Sequence, residues 1–198
     1  GQDREFSFRH ALVRDAAAGL LTAADRVNGH RLAASYLQHT GKGDAALIAE
    51  HYECGGVPEL AAQFYVQAAE ESLARGDYGA ALAQVDHGLG CAPVAEVLGR
   101  LRSAEGYLAF ALNRNDRLRA SSGVALQLLK AGSLAWCRAV VPAITEAQLR
   151  RDEERALQLL QTLLATEPEV NARTEYLDQL VITLASVMLQ VPFSWLQA

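Results

Sequence analysis

The chain has 198 residues, a net charge of −5 and 51% hydrophobic residues. This size suits one domain, or two small ones, with a real hydrophobic core. Alanine (36) and leucine (30) far outnumber isoleucine (3), valine (14) and threonine (7) together. The composition therefore predicts an all-α fold and excludes a disordered chain, a collagen or a disulfide scaffold. The acidic balance argues against direct nucleic-acid binding, because phosphate-binding surfaces are usually basic.

The cysteines and the apolar segments bear on the cellular setting. Three cysteines stand far apart with no CxxC pair, which predicts reduced thiols and a cytoplasmic location. No run reaches about 18 uninterrupted apolar residues, so we expect no membrane span. The first residue is not methionine and no signal peptide is visible, so we interpret the chain as a fragment of a larger protein.

The N-terminal segment carries the first motif. Residues 6–15 read FSFRHALVRD; the alternation of Phe6 and Phe8 predicts a short strand, and His10 to Leu21 a helix. Together with residues 21–33, this segment resembles a junction in large bacterial signalling proteins. In that family a STAND-type ATPase module ends in a winged-helix-like segment and runs into helical repeats. The resemblance implies that residues 1–40 form this junction and that the parent protein is an ATPase or a kinase regulator.

The nucleotide switch itself is not expected within this chain. Gly41-Lys42 is followed by Gly43 rather than by serine or threonine, so no Walker A motif is present. Turn signals then divide the chain into helix-like segments of about 10 to 20 residues, which predicts eight or nine helices. Short loops favour antiparallel packing of consecutive helices. The turn signals are Thr40–Gly43, Gly55–Pro58, Gly76–Asp77, Gly90–Pro93, Asn113–Asp116, Gly132–Ser133 and Glu167–Pro168.

A repeat is visible in the small residues. Three helix openings carry Ala81, Ala120 and Ala156, which are 39 and then 36 residues apart, and each is followed at a constant interval by proline or glycine. This pattern resembles tetratricopeptide repeats (TPR). The alternative interpretation is an alanine- and leucine-rich helical bundle with chance spacing. The best-matching residues are Tyr65, Ala69, Gly76, Tyr78, Ala81 and Pro93.

The TPR resemblance implies an architecture and a function. It implies a right-handed α-solenoid of antiparallel helix pairs over residues 41–198, in which the first helix of each repeat lines a groove. The groove would hold a peptide, another protein or a neighbouring domain of the parent chain. This is a non-enzymatic role that requires no cofactor. Carried onto these repeats, the partner-binding residues are Gln63, Val66, Glu70, Arg102, Glu105, Ala109, Arg138 and Val141.

Two other functions stay open at this point. The apolar segment Tyr176 to Leu196 predicts an exposed surface that would make the chain a homodimer. A pocket inside the superhelix would instead make it a sensor of a small ligand. Light scattering separates the first of these from partner binding, and a metabolite screen tests the second.

Candidate chemistry is sparse. His51 and Cys54 are three residues apart and could supply two metal ligands, but the rest of a ligand set is missing, so we expect no metal site. Cys91 and Cys137 are expected to be small buried hydrophobes rather than nucleophiles. The cluster Arg114, Arg117 and Arg119 is interpreted as a solvated loop, with an acidic partner or phosphate as the alternative.

Overall fold

A computed structural model describes residues 9–190, with side chains to residue 185. Within this range the chain is all-helical and has no strand. It forms ten α-helices and one short 3-10 turn, Val170–Ala172. The helices are α1 (Ala11–Gly19), α2 (Ala23–Thr40), α3 (Ala45–Cys54), α4 (Pro58–Ala74), α5 (Tyr78–Gly90), α6 (Ala95–Ala111), α7 (Asn115–Leu128), α8 (Leu134–Leu149), α9 (Glu153–Ala165) and α10 (Arg173–Gln190).

The two N-terminal helices differ in how much they bury. The predicted helix after His10 is confirmed as α1, and none of its residues is buried. α2 begins at a reciprocal cap in which Thr22 and Asp25 bond each other's backbone N–H. It buries only Ala34 and packs against α3. The predicted strand at Phe6 and Phe8 lies outside the described residues.

One turn geometry recurs from α4 onward. Gly76, Asn113 and Arg151 all have positive φ, and each lies between an even-numbered helix and the next odd-numbered one. The amide of the following residue bonds a carbonyl five residues back in each case, as from Asp77 to Ser72 at 2.9 Å. These turns are 37 residues apart (Gly76 to Asn113) and then 38 residues apart (Asn113 to Arg151). The chain therefore repeats at 37 to 38 residues, not at the predicted 39 and 36.

Helix packing follows the same repeat. From α2 to α9, each helix contacts the next one in the chain. The even-numbered helices also contact each other, α4 with α6, α6 with α8, and α8 with α10. α10 packs mainly against α8. Helices α4, α6, α8 and α10 thus lie side by side along one surface, which we call the even face.

The corrected offset aligns small residues at the helix crossings. It equates Ala69 with Gly106, and a Cβ on Gly106 would lie 3.2 Å from the Ser121 hydroxyl of α7. It equates Gly88 with Ala125, which is fully buried. The predicted key alanine Ala120 is exposed, and Leu118 occupies its place in the core. The small residues therefore allow close helix approach, but in a different register from the predicted one.

The helix number also differs from the expected eight or nine. The turn between α8 and α9 contains no glycine or proline. Arg151 adopts the left-handed conformation there, with φ 59°. Glycine and proline signals do not mark such a position, although the helix opening that carries Ala156 lies beside it. No helix among residues 9–190 is both long and apolar enough to cross a bilayer.

Candidate functional site

A groove crosses the even face where α2, α4 and α6 meet. Its volume is about 430 Å³, within the range of ligand-binding clefts. Apolar side chains form part of its lining, with three glutamine amides around them; we call it the amide groove. It is lined by Gln38, Leu60, Gln63, Phe64, Val66, Gln67, Glu96, Val97 and Arg100.

The three glutamines are held differently. Tyr52 donates its hydroxyl to Gln38 Oε1 at 2.5 Å, while its ring stacks on Phe64, so Gln38 keeps free amide hydrogens. Gln67 donates to Glu71 at 2.8 Å and keeps a free carbonyl oxygen. Gln63 is exposed and makes no side-chain hydrogen bond within the described part of the chain. The groove therefore offers both free donors and free acceptors beside its apolar side chains, which suits the backbone of an extended segment.

An ion pair closes the α4–α6 side of the groove. Arg100 donates to both carboxylate oxygens of Glu70, with Nη2–Oε2 at 2.6 Å and Nε–Oε1 at 3.1 Å. The next contact along the even face uses the equivalent positions but is a cation–π contact. There Arg138 of α8 lies 5.7 Å from the centre of the Tyr107 ring and pairs with Glu175 of α10 at 3.3 Å. The repeat offset equates Arg100 with Arg138, and Glu70 with Tyr107, so equivalent positions join successive even helices.

The predicted partner-binding residues divide into two groups. Gln63, Glu70 and Arg138 lie on the even face as expected, and Val66 lines the groove although it is only 3% exposed. The structure places the side chains of Ala109 and Val141 in the core, where no partner reaches them in this conformation.

Arg102 and Glu105 lie on the opposite side of α6. Glu105 is 4% exposed and accepts from Arg102 at 2.6 Å, with Arg117 of α7 at 3.3 Å. Arg117 also pairs with Asp86 of α5, and this pairing raises the pKa of the Arg117 guanidinium, with burial opposing it. This network is structural. The predicted basic patch at Arg114–Arg119 thus has its central arginine engaged within the fold.

The predicted register was displaced by two residues on α6. Each helical residue rotates a side chain by about 100°, so two residues turn it to the far side of the helix. The even face of α6 therefore carries Arg100 and Tyr107 in place of Arg102 and Ala109. The sequence signal that identifies Arg100 and Tyr107 is the spacing of the N-cap residues of α5, α7 and α9, and not the spacing of the alanines. These N-caps are Asp77, Arg114 and Asp152.

Histidines lie together away from the groove. The Nδ1 atoms of His30 and His51 are 2.8 Å apart, joining α2 to α3. Burial lowers the pKa of His51, and the charge of His30 lowers it further against the opposing effect of Glu50. Among residues 9–185, no group of three or more His, Cys, Asp or Glu side chains could hold a metal ion.

A second polar cluster joins α3, α4 and α5. The Tyr65 hydroxyl donates to Glu53 at 2.5 Å, and Glu53 also pairs with His87 at 3.3 Å. Burial and the Glu53 contact raise the pKa of Tyr65. Burial likewise raises the pKa of the Cys91 thiol and, to about 11, that of Cys137. Raised thiol pKa values disfavour the reactive thiolate, which fits the sequence interpretation of these cysteines.

A second cavity lies between α8, α9 and α10. Its volume is about 480 Å³, and its lining includes Ile144, Leu157, Leu160 and Thr183. Exposed apolar side chains continue from it along both outer helices. They are Leu157 and Leu164 on α9, and Leu177, Val181 and Leu184 on α10.

Comparison with family models, with curated proteins and with solved structures found no match to this chain.

Proposed function

We propose that the chain is a non-enzymatic interaction module that holds a segment of a protein partner in the amide groove. The observation that carries this proposal is the groove itself, where α2, α4 and α6 bring apolar surface and free glutamine amides together. Apolar contacts supply binding energy and amides pair with a peptide backbone. The partner is a separate protein, a peptide or another domain of the parent chain.

The proposed architecture is a right-handed TPR-like α-solenoid of antiparallel pairs over residues 41–198. Three observations support it: the turn that recurs every 37 to 38 residues, the contacts between successive even helices and the small residues at the crossings. Residues 1–40 are proposed as the junction to an ATPase module of a bacterial STAND-type signalling protein, in the cytoplasm. The support for that context is the sequence resemblance of the N-terminal motif.

Affinity capture with matched variants tests the proposal. Gln63→Lys combined with Gln67→Lys changes two exposed positions in the groove. The control, Gln158→Lys combined with Gln161→Lys, makes the same change at exposed positions on α9; Gln158 bonds Glu154 as Gln67 bonds Glu71. We expect the native chain and the control to retain the same binding protein and the groove variant to lose it. Retention by all three baits contradicts the proposal.

A second candidate function is self-association through α9 and α10. The exposed leucines and valine along these helices favour it, because contiguous apolar surface marks association sites. Light scattering over a range of protein concentrations measures it directly. A concentration-dependent dimer that is abolished by Leu177→Glu supports this function, and a monomer at all concentrations refutes it.

A further inference from the structure

A smaller pocket adjoins the amide groove at the start of α4. Its volume is about 360 Å³, near the lower end of the range for ligand-binding pockets. It shares Gln63 and Val97 with the groove, so the two cavities are adjacent. We call it the anchor pocket; its apolar lining is Pro58, Ala62, Ala92, Pro93, Val94 and Val97.

One wall of the anchor pocket is a strained loop between α5 and α6. Ala92 in the loop and Ala95 at the first position of α6 both have φ of 51°. This left-handed conformation is costly for a residue with a Cβ. Hydrogen bonds hold the loop in place, from the Cys91 amide to His87 and from the Ala92 amide to Leu89, both at 3.2 Å. Val94, between the strained residues, is 74% exposed although it is apolar. Strain of this kind is retained where the surroundings fix the backbone, and it concentrates at binding sites.

The charges around the two cavities are predominantly negative. Glu59 lines the anchor pocket and Glu96 lines the groove. Both are exposed, and neither forms an ion pair within the described part of the chain. Among the described residues, the one cation that lines either cavity is Arg100, which is already neutralised by Glu70. A bound ligand therefore meets two free carboxylates and no free positive charge.

We infer that the ligand is a peptide segment with a large apolar side chain flanked by lysine or arginine. The apolar side chain enters the anchor pocket against Val94 and Val97. The neighbouring basic side chains pair with Glu59 and Glu96, and the backbone continues along the glutamines of the groove. Complementary charge gives such a ligand its specificity and its sensitivity to salt. This inference rests on the proposed function, because it assigns the ligand chemistry of the same groove.

Three short synthetic peptides in a glycine-serine background test the inference by fluorescence anisotropy. The first has phenylalanine flanked by lysines, the second has glutamates in place of the lysines, and the third has serine in place of phenylalanine. We expect the first to bind at least about tenfold more tightly than the other two. We also expect its affinity to fall as salt is added.

Variants of the chain separate charge from fold. Glu59→Gln combined with Glu96→Gln is expected to weaken the first peptide about tenfold and to flatten its salt dependence. The matched control is Glu153→Gln combined with Glu154→Gln, which removes two exposed carboxylates from the first turn of α9 and leaves binding unchanged. Val94→Ser tests the anchor separately, since that exposed side chain is outside the core, and weakens the first peptide.

The outcomes distinguish this inference from the proposed function. Equal binding of all three peptides, tighter binding of the glutamate peptide, or no binding of any of them overturns the ligand assignment. The groove function is decided independently by capture with the Gln63 and Gln67 variant. A partner lost by that variant but unaffected by the Glu59 and Glu96 variant leaves the groove standing and refutes the basic ligand.

Discussion

Glu105 provides a sharp test of how α6 is oriented. It is the buried carboxylate that joins α6 to α7, with Arg102 at 2.6 Å and Arg117 at 3.3 Å. Replacing it with alanine removes the acceptor of two charged donors and leaves a cavity where the side chain is only 5% exposed. Because Glu105 faces α7 and not the amide groove, its loss should change stability without changing the ligand surface.

The magnitude follows from what each arginine retains. Hydrogen bonds to charged groups contribute roughly 1.5–3 kcal/mol each, and breaking a buried pair costs about 3–5 kcal/mol. Arg117 keeps Asp86 as a partner, and Arg102, whose side chain is 28% exposed, can turn to water. We therefore expect a loss of about 3 kcal/mol, near the lower end of the range. For a chain of this size that lowers the melting temperature by about 6–12 °C.

Circular dichroism during heating and urea titration measures the effect. Glu169→Ala, which removes an exposed partner of Lys130, serves as a control and should leave the melting temperature essentially unchanged. Glu105→Gln keeps the volume and one acceptor, so it should fall between the native chain and Glu105→Ala. A Glu105→Ala protein that is as stable as the native chain but has lost its partner would refute this orientation of α6.

Three further outcomes follow from local geometry. Gly132→Ala should destabilise the chain by more than about 2 kcal/mol, since φ is +82° and a Cβ would lie 2.5 Å from the Glu167 carbonyl oxygen. Gly123→Ala lies in open space within α7 and should stabilise the chain by roughly 0.5–1 kcal/mol. The urea midpoints of the two variants measure these changes. Because the pKa of His51 is lowered in the folded chain, the unfolded chain binds more protons. Stability should therefore fall as the pH drops through and below 6.5, the ordinary pKa of histidine. Urea midpoints should lose this pH dependence in His51→Gln, and an unchanged dependence contradicts the reasoning. Cys54 is exposed and Cys137 is buried, and the pKa of Cys137 is raised to about 11. At neutral pH a thiol reagent should label Cys54 rapidly and Cys137 only after denaturant is added. Equal labelling rates would contradict the burial of Cys137.

The sequence predicts the helical class because its dominant residues, alanine and leucine, favour helix, and it locates most turns through glycine and proline. No glycine or proline marks the turn at Arg151, where a residue with a Cβ adopts the left-handed backbone; only the helix opening that carries Ala156 indicates it. The turn before α7 is marked by Asn113 to Asp116, but the predicted register follows the alanine spacing and not that turn. Counting from alanines placed Ala120 where the fold has Leu118, and this error accumulated into the site assignment.

The candidate site was only partly accessible to sequence reasoning, and the reason is geometric. The sequence predicts Gln63 because its helix carries Tyr65 and Ala69 of the best-matched repeat. Arg100 was missed by the two-residue displacement, which rotates a helix position by about 200°. Gln38 was missed because it belongs to α2, ahead of the repeats, and only packing through Tyr52 brings it to the groove. A cavity shared by three helices leaves no periodic signal in any one of them.

The measurement that tests the central claim most directly is backbone hydrogen exchange with and without a bound ligand. The ligand is a peptide selected from a displayed random library on the folded chain. We predict that slowed exchange is confined to the helices that form the groove, around residue 38 of α2, residues 60–67 of α4 and residues 96–100 of α6. Protection that falls instead on α9 and α10, with α4 and α6 unchanged, would contradict the assignment of the amide groove as the partner site.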